Sequence, residues 1–203
     1  HLPANFSWTK LYEGLGNLTP TTASEEMNKG YGIVNFAGHG NVNVWSFGEE
    51  GYFTNTDVFS LTNGFNTSLV VAMSCLTGDF ADTDVCIGEA FLIHGSGGGI
   101  AYLGAADTAY GYTGYWITSG LAGEIDWRVF ASFKAIENAG EVPTPGSIHA
   151  MVIRDYLANH GRSDEYDWYT VVEYGTLLGD PTLSLAGTGD PPPPPPTPKL
   201  YGY

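Results

Sequence analysis

At 203 residues the chain has room for one domain and not comfortably for two. Its 14% charged residues, 28 glycines and 14% aromatics describe a compact, loop-rich body that needs neither disulfides nor structural zinc to make a core. A formal charge of −15, from 7 basic against 22 acidic residues, repels phosphate backbones and sets nucleic-acid and anionic-membrane binding aside. No apolar run approaches the roughly 20 residues that span a bilayer. The opening at His1, without Met or a signal-like segment, reads as a piece of a longer precursor.

In chain order, Thr22 or Ser24 can cap a short helix through Glu25 and Glu26 that stops at Gly30. Residues 32–37, apolar in the main with Asn35 among them, read as a buried strand that ends at Gly38-His39-Gly40. Residues 68–73 repeat the pattern and end at Ser74-Cys75. The segment 86–94 places Ile87, Ala90 and Phe91 on one helical face, and 99–104 is a third buried strand. Helical spacing of Ile117, Leu121, Ile125, Val129, Phe133 and Ile136 predicts a long helix over 116–138. Thr144-Pro145 starts another through Ile148, Val152 and Leu157. Residues 164–174 fit helix or strand, being rich in β-branched and aromatic side chains, and 182–185 reads as a last edge strand.

Strands alternating with helices predict an α/β fold with a largely parallel sheet flanked by helices. The folded part is expected to span 1–187. Residues 188–203 hold six consecutive prolines at 191–196, a stiff polyproline II spacer to a further module.

In open parallel sheets the functional groups gather at the carboxyl ends of strands. Two such ends carry nucleophilic chemistry here: His39 and, later in the chain, Cys75. Adjacent strands would put an imidazole and a thiol on one rim, as a Cys-His hydrolase requires. Gly40 leaves its N–H unobstructed, and with the N–H of Cys75 it could donate to the oxyanion of a tetrahedral intermediate. One such donor is worth about 3 to 4 kcal/mol.

The stretches Asn35-Phe36-Ala37-Gly38-His39-Gly40, Val70-Val71-Ala72-Met73-Ser74-Cys75-Leu76-Thr77-Gly78-Asp79-Phe80, Cys86-Ile87-Gly88-Glu89-Ala90-Phe91 and Leu178-Gly179-Asp180-Pro181-Thr182-Leu183 together resemble the gingipain-type cysteine peptidases, in the wider group of caspases and legumains. The resemblance covers about residues 30–186 and implies a caspase-like three-layer sandwich. It also implies His39 as general acid/base, Cys75 as nucleophile, and Gly40 and Cys75 as oxyanion donors. The family's acidic third member lies upstream of the histidine, in a half-domain that this chain would lack. Glu49 and Glu50 follow the histidine and do not match it. The segment 105–112 corresponds to a wall of the primary specificity pocket. Asp107, Tyr110 and Tyr112 would line it, a carboxylate and aromatic faces being what a cationic side chain prefers.

Plainer readings stand beside these. Cys75 alone could be a buried strand-end thiol, and Cys86 packs as a small hydrophobe. A Cys75–Cys86 disulfide would end the peptidase reading. His94, His149 and His160 show no partner spacing and read as structural or surface residues. Asp79, Asp82 and Asp84 form an acidic loop that is either solvated or a structural calcium site, without the EF-hand pattern. No other cofactor is called for. Trp45, Tyr110, Tyr112, Tyr115 and Trp116 line a cleft or pack as lid and core. Two functions follow. One is a secreted or cell-surface cysteine endopeptidase acting on protein or peptide substrates. The other is a catalytically silent scaffold or adhesion module of a large surface protein.

Overall fold

The computed structural model describes residues 6–160 and 164–185; the proline run and the expected boundary at 187/188 lie outside the described residues. The three runs are strands β1 (Ile33–Ala37), β5 (Ser68–Met73) and β6 (Gly99–Gly104), but β1 is not the buried strand expected: at the sheet edge it buries only Phe36 and exposes Asn35 and Ala37. They pair in parallel in the order β1-β5-β6, and a two-residue antiparallel strand β7 (Leu178–Gly179) closes the far edge. β5 lies at the centre, with Leu69, Val70, Val71 and Ala72 buried, which is why its sequence does not alternate.

The two faces of the sheet are covered differently. On one face Leu69, Val71, Ala101 and Leu103 pack against α4 (Leu121–Asn138) and α5 (Pro145–His160), with Ile125, Val129, Phe133, Ile148 and Val152. α6 (Glu165–Glu173) completes this layer, so the ambiguous segment is helical. Its start is fixed by Asp164, whose carboxylate accepts the Tyr166 N–H at 2.8 Å. On the other face Val70, Ala72 and Tyr102 meet α1 (Pro20–Met27), α2 (Asn55–Phe59) and α3 (Ile87–Ile93). A small antiparallel sheet of β2 (Gly40–Asn41), β3 (Val44–Ser46) and β4 (Tyr52–Thr54) is packed into this layer. Two helical layers around a mostly parallel sheet make the expected three-layer α/β sandwich. Among the described residues no helix is long and apolar enough to cross a membrane.

Three boundaries differ from expectation. α1 is capped by Thr19, not by Thr22 or Ser24: Thr19 and Thr22 form a reciprocal capping box with Pro20 at the first turn. α4 begins at Leu121 instead of 116, because the chain breaks at Gly120 and Leu121 takes a left-handed φ of 56°. The last edge strand is 178–179 and not 182–185. Asp180 draws the chain into a turn by accepting from Thr182 N at 2.8 Å and Thr182 Oγ1 at 2.7 Å, and Leu185 is buried against the α4–α5 layer.

Candidate active site

The β1–β5 ladder fixes the relation between the two candidate residues. Every rung, from Ile33–Leu69 to Ala37–Met73, joins residues 36 apart, which is also the spacing of His39 and Cys75. The ladder runs on past β1, since Gly38 N donates to Met73 O at 3.2 Å. His39 and Cys75 are therefore each two residues beyond matched strand ends, at the same height on adjacent strands. His39 is exposed and Cys75 half-buried.

The histidine strand turns directly into the small sheet. Ser46 N donates to His39 O at 2.9 Å, making His39–Ser46 a hydrogen-bonded rung; the next rung, Gly40–Trp45, is then of the other kind. At such a rung the N–H points away from the partner strand. Gly40 therefore keeps a donor that the hairpin does not use. Its place is set by contact with the loop that carries Cys75: a Cβ here would overlap Ser74 Oγ and the Thr77 methyl group. Under this hairpin Trp45 is 1% exposed. It stacks on Phe36 at 4.6 Å and on Phe53 at 5.5 Å, with its indole N–H donating to Tyr102 Oη at 3.2 Å.

The loop that carries Cys75 is held differently. Leu76, directly after Cys75, has φ 61°, a left-handed conformation that costs a residue with a side chain about 1–2 kcal/mol. That turn is braced by backbone bonds from Leu76 N to Asp107 O (2.9 Å) and from Gly78 N to Ala105 O (2.8 Å). The Cys75 thiol itself lies 3.6 Å from Ala109 O. Both cysteines are free, so the disulfide alternative is absent. Cys86 is buried at the N-terminus of α3, where its sulfur accepts Glu89 N at 3.4 Å; burial first of all pushes its thiol up to about 11. Glu89 returns the contact by accepting Cys86 N at 2.9 Å, a structural role.

Asp107 is exposed beside this loop, and its carboxylate accepts Thr108 N at 2.6 Å. Tyr110 packs edge-on against Tyr166 at 5.0 Å, and Tyr112 lines a shallow surface hollow with Thr113, Trp116 and Ser119. Trp45 is a core residue, 1% exposed, that also lines the groove beside His39. Glu49 and Glu50 are exposed on a single 3-10 turn, Gly48–Glu50. Asp79 and Asp82 turn back onto their own loop, accepting Ala81 N and Asp84 N at 3.1 and 3.0 Å. Among the described residues no three His, Cys, Asp or Glu side chains are grouped to hold a metal.

His39 lines a groove of about 700 Å³ together with β1 residues, among them Asn35, and with Asp126 and Phe130. Among the described residues His39 forms no ion pair with a carboxylate. His94 and His149 bind backbone carbonyls, of Leu61 and Tyr174. His160 has partners that its sequence spacing did not show, with Glu124 at 2.6 Å and Asp167 at 3.5 Å. Two further acids went unread. Asp126 accepts from Asn35 Nδ2 at 3.3 Å through one oxygen, leaves the other buried without a partner, and is pushed by burial up to about 6. Glu173 is 6% exposed, and burial, then the charge of Asp107, pushes its carboxyl up to about 7.

The profile of peptidase family C25 matches residues 3–186. The chain belongs to peptidase family C25. Gingipain R2 of Porphyromonas gingivalis is 28% identical over 93 residues, 45% of this chain and 12% of that protein. Lys-gingipain of the same organism is 30% identical over 97 residues, 47% of this chain and 6% of that protein. Among solved structures, the Arg-specific cysteine proteinase gingipain R (RgpB) superposes with a TM-score of 0.66 at 20% identity, covering 83% of this chain and 36% of that one. The complex of RgpB pro- and mature domains gives 0.62, also at 20% identity, over 83% and 37%. The C25 chain thus has the caspase-like architecture of the gingipains, and spans little more than a third of those solved chains and a tenth or so of the curated relatives' length.

Proposed function

We propose that this C25 chain is the catalytic half of a secreted or cell-surface cysteine endopeptidase. Cys75 attacks the scissile carbonyl, forming an S–C bond as its proton passes to His39. His39 then protonates the leaving amine as the C–N bond breaks, and water, deprotonated by the same imidazole, hydrolyses the thioester and restores the thiol. The N–H groups of Gly40 and Cys75 receive the oxyanion. Asp107, Tyr110 and Tyr112 flank the bound side chain. The reaction needs no cofactor.

The observation that supports this reading is the common 36-residue register, which brings residues 39 and 75 level at the tips of neighbouring strands. An upstream half-domain belongs to the reading as the source of the carboxylate that orients His39. A further module beyond the proline-rich residues 188–203 belongs to it as well. The test is to treat the full-length protein with a peptidyl chloromethyl ketone panel, map the adduct by mass spectrometry, and follow hydrolysis of matching fluorogenic peptides. Labelling confined to Cys75, with hydrolysis lost in Cys75→Ala and His39→Ala, is expected. Neither labelling nor hydrolysis would instead identify a silent scaffold module.

A further inference from the structure

This inference rests on the peptidase reading and concerns what holds the nucleophile loop. Residues 105–109 lie as a strap between that loop and the C-terminal end of α6. On one side the strap receives Leu76 N at Asp107 O and Gly78 N at Ala105 O, and Ala109 O faces the Cys75 thiol. On the other side Ala106 N donates to Glu173 O at 3.0 Å. The side chain of that same glutamate is buried, and its Oε2 has no hydrogen-bond partner.

An unpartnered buried carboxylate is costly, and this one faces the charge of Asp107 from within the strap. Two carboxylates so placed cannot both ionise without repulsion. Glu173 is the buried one of the two, so burial favours its neutral form. The other titratable groups at this corner come from three elements. Tyr174 follows Glu173, its hydroxyl facing Asp126 of α4 and Tyr102 of β6, and His149 of α5 reaches Tyr174 O at 2.8 Å. None of these supplies Glu173 Oε2 with a donor.

We propose that Glu173 is a positioning residue for Cys75, acting in its neutral form through the 105–109 strap. The strap rests on the Glu173 backbone carbonyl on one side and on its bonds to Leu76 and Gly78 on the other, and with the side-chain proton in place no like charge opposes that seat. With the proton gone the two carboxylates oppose each other across it, and the turn after Cys75, already strained at Leu76, loosens. The site would thereby lose competence as pH rises.

The test compares the full-length protein with Glu173→Gln, which has the same shape and is neutral at every pH. Two readouts are taken between pH 5.5 and 8.5. One is amide exchange of the peptide spanning residues 74–80, corrected for the intrinsic pH dependence; the other is kcat for peptide hydrolysis. In the unmodified protein, corrected exchange is expected to rise on the order of tenfold across neutral pH, while kcat falls over the same interval. Both steps disappear in Glu173→Gln. Asp107→Asn, read by exchange alone, also flattens the step, because an ionised Glu173 then faces no charge. A step of equal size in Glu173→Gln, or no step in the unmodified protein, overturns the proposal. An exchange step confined to the unmodified protein, with no hydrolysis by any form, sinks the peptidase reading and leaves the coupling through Glu173 standing.

Discussion

The two layers that support the site are made of different material. Beneath His39 lies a dry aromatic stack, in which Phe36, Trp45, Phe53, Phe91 and Tyr102 meet ring to ring and the one indole N–H has its acceptor. Beneath Cys75 and its strap, the helical layer buries carboxylates: Asp126 and Glu173 each leave an oxygen without a partner, and Glu124 is held by Arg128 and His160. The first layer draws its stability from area and fit, which pH does not touch. The second carries groups whose charge is expensive, so its stability follows the proton. One side of the site is thus a rigid mount, and the other a titratable one.

That contrast fails if the largest perturbation behaves the wrong way. Trp45→Ala removes the centre of the stack and should cost about 3–5 kcal/mol. Guanidinium unfolding should give the same loss at pH 5 and pH 8; a strongly pH-dependent loss would mean the layers are not independent. Gly40→Ala comes next. Its added methyl would collide with Ser74 and Thr77 and displace the N–H proposed to receive the oxyanion, so kcat should fall about 100- to 1,000-fold while the melting temperature changes much less. Unaltered kcat would remove Gly40 from the reaction.

The helical layer should give smaller effects that depend on pH. Glu173 rises from 4.5 to about 7 and Asp126 from 3.8 to about 6. In both cases the native chain holds a proton that the unfolded chain has released. Stability is therefore greatest below about pH 4, falls as pH climbs through the interval between unfolded and folded values, and levels off above about 7. Glu173→Gln should stabilise the chain by roughly 1–3 kcal/mol at pH 8 and by nearly nothing at pH 4. A flat difference across that range would contradict the burial of an ionisable group there. The smallest change is His160→Gln, which removes the link from α5 to Glu124 and Asp167. It should cost about 1–2 kcal/mol in denaturant unfolding.

What the sequence disclosed follows the same division. The strands were legible because a central parallel strand must be apolar on both faces, and 68–73 admits nothing polar after Ser68. The strand ends that carry His39 and Cys75 were legible because strand ends are short-range features. The small sheet from 40 to 54 was not: strands of two or three residues broken by Gly48 and Gly51 carry no period to read. Residues 164–174 were undecidable locally, since Tyr, Trp, Thr and Val suit either state, and the choice was made by the Asp164 cap and by packing on α4 and α5. The start of α4 was misread because its apolar spacing continues back to Ile117, across a backbone break at Gly120. Glu173 and Asp126 gave no signal, because burial of an acid is decided by elements far apart in the chain. The gingipain-type motifs identified the C25 family from local stretches alone.

The most direct test of the His39–Cys75 pairing is the rate of Cys75 alkylation by iodoacetamide in the folded, full-length protein at pH 6, beside His39→Ala. If the imidazole ionises the thiol across the strand tips, alkylation is rapid and falls about tenfold or more when His39 is removed. Equal, slow rates in the two proteins would show that the histidine and the cysteine are not partners, and the peptidase account would fall with them.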